Sequence, residues 1–173
     1  MSFPSQHVDI KPAVVSELQQ LQNDVLWTEK GHFASASTLT GMRLVLGILA
    51  TVGATAAAAT VFADAPTIAG VLALVSALFS GLLTFLKPEE RASQHLSSAR
   101  RLNVLGIDIR QTLTLDVPTL EVAKLRSHVS EIARRKAEID ESAPHISNVS
   151  IRWAGRQIGR GDYTFDRPQM KAT

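Results

Sequence analysis

Two uncharged apolar runs, Leu44–Ala63 and Pro66–Leu86, stand almost back to back, separated only by Asp64 and Ala65. A helix rises about 1.5 Å per residue and the hydrocarbon core of a bilayer is about 30 Å thick, so each run is long enough to cross once. The pair reads as a transmembrane hairpin that returns to its starting side. The first run holds eight Leu, Ile, Val or Phe residues around an Ala-Thr-rich middle, and the second holds eleven. On an insertion scale each such residue contributes roughly −0.3 to −0.6 kcal/mol, so the second run inserts alone and the first needs a partner helix. The competing arrangement is a soluble bundle with two buried helices.

Bulk composition hides this feature. The 173 residues are 20% charged with a net charge of +2, which says little about an anionic partner, and no nucleic acid is expected. There is no cysteine, which excludes disulfides, thiolate catalysis and Cys-based zinc sites. The polar stretch Met1–Lys11 argues against a signal peptide. Lys30 and Arg43 precede the hairpin, Lys87, Arg91, Arg100 and Arg101 follow it, and the turn carries only Asp64. Positive flanks stay inside, so both termini are expected in the cytoplasm and Asp64 outside.

The expected architecture is all-α and divides into four parts. Residues 1–40 form an arm and a helix opened by Pro12, with Val14, Leu18, Leu21 and Val25 on one stripe. Gly31 and the Ser-Ala-Ser-Thr stretch predict either a softened connection or a helix continuing into the membrane, and Trp27 is expected to pack on a neighbouring helix. Residues 41–87 are the hairpin, with Pro66 suited to the first turn of its second helix and Asp64 or Ala65 to its cap. Residues 88–143 are further helices. Pro88 followed by Glu89 and Glu90 is a helix start, Asp116-Val117-Pro118 predicts a break, and Pro118 is expected to open the next helix. On that helix Val122, Leu125, Val129, Ile132 and Ile139 form a seam at alternating spacings of three and four, with Lys136 in the remaining slot. The seam suits packing on the chain's own N-terminal helix or on further copies in a symmetric oligomer. Residues 144–173 form a basic tail in which Val149, Ile151 and Trp153 alternate like a short strand.

No catalytic constellation emerges, so an enzyme is not expected, and no cofactor or metal is implied. The five histidines are scattered without ligand spacing, and no Gly-rich phosphate loop joins a strand to a helix. The chemistry lies in the apolar runs instead. Ser76, Ser80 and Thr84 recur every four residues on the second, and Thr51 and Thr55 do so on the first. Hydroxyls there either bond a neighbouring helix or line water, so these five are candidate pore-lining residues, with Asp64 at the mouth. Thr51-Val52-Gly53 is no selectivity filter, because a filter needs a re-entrant loop between two spans.

The helix carrying Trp27, the two-span hairpin, and the direct passage into Phe85-Leu-Lys-Pro-Glu-Glu-Arg-Ala-Ser-Gln-His-Leu-Ser-Ser-Ala-Arg-Arg-Leu-Asn-Val-Leu105 together resemble the SLATT family, the SMODS- and SLOG-associating two-transmembrane effectors. The resemblance covers roughly residues 26–139. It implies an oligomeric pore-forming effector of a bacterial nucleotide-signalled defence system, integral to the inner membrane. The implied partners are the lipid bilayer, copies of the chain, and a nucleotide synthetase or sensor protein or its nucleotide product. No fused synthetase or sensor domain is expected from this sequence, so sensing is expected to come from a partner or from its own cytoplasmic helices. The competing class is a non-conducting, membrane-anchored scaffold or signalling adaptor.

Overall fold

The computed structural model describes residues 10–146, so the proposed tail strands lie outside the described residues. Every regular element among the described residues is helical. The first, α1, runs unbroken for 52 residues from Lys11 to Phe62, about 78 Å of helix. The softened connection expected around Gly31 is absent. Gly31, Ser35 and Ala36 are buried there, and small residues let a neighbouring helix approach closely. Packing therefore outweighs the weak local propensity of this stretch.

The chain turns at Asp64, whose φ of 52° is left-handed, and the turn closes through Ala65 N–H to Thr60 O at 3.1 Å. Pro66 then opens α2 (Pro66–Leu86), with Ala65 in the cap position. Lys87 is a second left-handed residue, with φ 44°, and Pro88 starts α3 (Pro88–Gln111) directly after it. Helix α1 packs against α2 along its second half and against α3 along its first. The molecule is thus one long helix with a two-part return.

The expected break at Asp116-Val117-Pro118 falls later. A π-helical stretch, Thr112–Asp116, prolongs α3 into the single turn α4 (Val117–Thr119). The backbone becomes extended only at Leu120 and Glu121. Helix α5 therefore begins at Val122, not at Pro118, and ends at Ser142 just ahead of Pro144. Pro118 is the second residue of α4, directly after the π-helical stretch.

The core lies at the polar end. Val14, Leu18 and Val25 of α1 meet Leu102, Leu105 and Ile109 of α3 and Leu125, Val129, Ile132 and Ile139 of α5. Four of the five seam residues are buried in this three-helix unit and Val122 is half-buried, so the seam is occupied within the chain. Trp27, expected to pack, is 46% exposed.

The hairpin end is the reverse. Only 11% of the most apolar stretch of each long helix is buried. Phe62, Leu74, Leu78 and Phe85 all stand out on the surface. Two helices are long and apolar enough to cross a membrane. A soluble bundle would bury them, and a contiguous exposed apolar surface of this extent calls for an apolar cover.

Candidate functional site

The five hydroxyls do not form one stripe. Ser76 is buried between α1 and α2 and donates its hydroxyl proton to Ala50 O. Opposite it, a Cβ on Gly53 would lie 3.3 Å from the Ser76 Cβ, so the two helices approach closely at Gly53. Ser76 is a helix-to-helix hydrogen bond, which answers the alternative left open by its spacing. Thr51, Thr55 and Thr84 are exposed and donate to the carbonyls of Gly47, Thr51 and Ser80, four residues back. Ser80 is exposed as well. Asp64 caps nothing by its side chain and stands exposed at the tip of the turn.

At the other end of the hairpin α1 diverges from α2, and an open groove of about 1280 Å³ lies between them. Its floor is apolar, with Leu44, Gly47, Ile48, Val52 and Leu83. Thr51 and Thr84 line it too, so the structure brings together one hydroxyl from each helix. Its rim is charged. Arg43 of α1 reaches Glu89 of α3 at 3.2 Å, and Lys87 reaches Glu90 at 3.4 Å. All four rim side chains are well exposed.

Below the rim, α1 and α3 bring His32 against His95, a pairing hidden by a separation of 63 residues. The two Nδ1 atoms are 2.9 Å apart and both rings are buried. One Nδ1 must carry a proton and donate it while the other accepts, so the bond holds as long as one of the two rings stays neutral. Burial, and then the nearby His95, push His32 down to about 4, against a smaller upward pull from Asp140 of α5. Burial also lowers His95. A helical register of the kind that places Val25 inward extends to His32 seven residues on, which is the only sequence signal for its burial. Among the described residues no group of three metal-ligating side chains forms.

One further cluster was not legible. Lys136, the polar slot of the seam, is answered by Asp24 of α1 and Asp140 of α5, each at 2.7 Å. Burial pulls the ammonium down, but the hydrogen bonds it donates to Asp140 and Asp24 outweigh that and hold its pKa above the ordinary lysine value.

No family model matches the chain, and neither a curated protein nor a solved structure is similar to it.

Proposed function

We propose that the chain is a two-span membrane protein that assembles around an axis and forms a regulated, ion-permeable pore. One observation carries the reading: the hairpin leaves its apolar side chains uncovered while exposed hydroxyls, Thr55 and Ser80 among them, interrupt the same surface. Lipid suits the apolar part. The hydroxyls suit water or a second copy of the chain. One hairpin cannot enclose a water path, so conduction requires several copies, with Asp64 residues ringing the outer mouth and favouring cations. The flanking Arg and Lys support an orientation with both ends of the hairpin in the cytoplasm. The SLATT-like layout supports an inner-membrane effector of a bacterial defence system, released by a nucleotide synthetase, a sensor protein or the nucleotide itself. The three-helix unit beneath the hairpin is the natural receiver of that signal.

A second reading has its own support. The hydroxyls of Thr51, Thr55 and Thr84 are each satisfied within their own helix and need no water. That favours a non-conducting scaffold. Ion flux from liposomes separates the two. A pore passes ions and loses flux in Ser80→Leu at unchanged oligomer size. A scaffold leaves vesicles sealed while forming a stable oligomer.

A further inference from the structure

The groove at the inner end of the hairpin combines features that a helix contact alone does not require. Gly47 lies on its floor, and a Cβ added there would meet nothing within 4 Å. Gly53 has a packing reason, the approach of Ser76, but Gly47 has none. The open space over Gly47 belongs to a groove that is apolar along its length and charged at one end. At that end sits Lys87, a non-glycine residue held in the left-handed region. Such a backbone costs roughly 1–2 kcal/mol, so a glycine is the cheaper residue at this corner. The lysine brings an ammonium to the rim instead.

The rim charges balance: two cations, Arg43 and Lys87, and two carboxylates, Glu89 and Glu90, all line the groove. Their ion pairs are exposed and therefore worth little, so they exchange readily for better ones. An anionic headgroup engages the cations but leaves both carboxylates facing its negative charge. A phosphate carrying a primary ammonium meets both pairs at once. The ammonium has three N–H donors for the carboxylates, whereas a quaternary amine has none.

We infer that this groove is a phospholipid site selective for a zwitterionic headgroup ending in a primary ammonium, with the phosphate on Arg43 and Lys87, the ammonium on Glu89 and Glu90, and acyl chain along Gly47. The inference rests on the membrane reading above, though not on conduction. An occupant here covers Thr51 and Thr84, which leaves Thr55 and Ser80 as the hydroxyls open to water or to another copy.

The test uses the full chain, purified and offered three lipids of identical acyl chains with phosphoethanolamine, phosphocholine or phosphoglycerol headgroups. Native mass spectrometry reads the lipid retained per protomer. The phosphoethanolamine lipid should be retained about fivefold over the other two, the ratio that one additional hydrogen bond of about 1 kcal/mol supplies. Lys87→Gly relieves the backbone while removing a phosphate partner, so it should melt no lower than the parent and lower the retention of all three lipids, whereas Glu89→Gln with Glu90→Gln should lose the selectivity. Gly47→Leu should abolish retention by filling the floor. Gly70→Leu, also placed in open space but outside the groove, should change nothing. Equal retention of the three headgroups, preference for the phosphoglycerol lipid, or undiminished retention in Gly47→Leu would overturn the site. Failure of the parent protein to float with liposomes would overturn the membrane reading and the site together. Flotation without selective retention would overturn the site alone.

Discussion

His32 and His95 share a single hydrogen bond that is lost when both rings are protonated, because the second imidazolium has no acceptor and two cations then stand 2.9 Å apart. Other charged groups close to the pair are Glu29 and Lys30 on α1 and Asp140 on α5. An unfolded histidine titrates near 6.5, whereas folded His32 does so at about 4. Between those values the unfolded chain binds more protons. The stabilisation is therefore complete above pH 6.5 and declines as pH falls towards 4. Melting temperature in detergent should drop between pH 7 and pH 5 in the parent. The double variant His32→Leu, His95→Leu should lack that component of the drop. Superimposable profiles would remove the pair as its cause. Ser76 makes a second prediction. Ser76→Ala should loosen the hairpin by about 1 kcal/mol, the usual worth of a hydrogen bond between membrane helices, without lowering flux as Ser80→Leu does. Crosslinking between cysteines placed at Ala57 and Ala69 would register the loosening.

Helix α5 shows what a pattern reveals and where it stops. Its stripe of Leu125, Val129, Ile132 and Ile139 was visible as a spacing, and those side chains are the buried ones. Spacing defines a face but not the neighbour it meets, so own chain and second copy remained equivalent until α1 and α3 were seen to cover it. The prolines had unequal value for a similar reason. Pro66 and Pro88 open helices as their local chemistry dictates, while Pro118 yields to a π-helical stretch that carries α3 onwards. The histidine pair and the reach of Lys136 to Asp24 depend on contacts between distant segments, and local sequence carries no trace of those. Val129→Glu buries a charge with no partner and should unfold the three-helix unit, costing about 3 kcal/mol or more. Ser127→Glu, on the exposed face, should leave the melt unchanged. Circular dichroism of both variants in detergent checks this. Reversing charges across the helices offers a further check. Lys136→Asp should lower the melting temperature, and adding Asp24→Lys should restore part of it.

At the largest scale the described residues divide into a polar end with a core of its own and an apolar end with almost none. The absence of native cysteine makes its orientation directly measurable. A cysteine at Asp64 should react with an impermeant reagent added outside intact cells, and one at Ser93 should react only after permeabilisation. The opposite pattern would invert the topology. The two ends are also joined unequally. The return path is cut by the left-handed corner at Lys87, but α1 passes from one end to the other without a break. A rod about 78 Å long acts as a lever: tilted by about 5° at its inner end, it swings its outer end by about 7 Å. Whatever displaces the three-helix unit by the width of a side chain therefore moves the far tip by more than the width of a water molecule, with only the bend at Lys87 to absorb the difference.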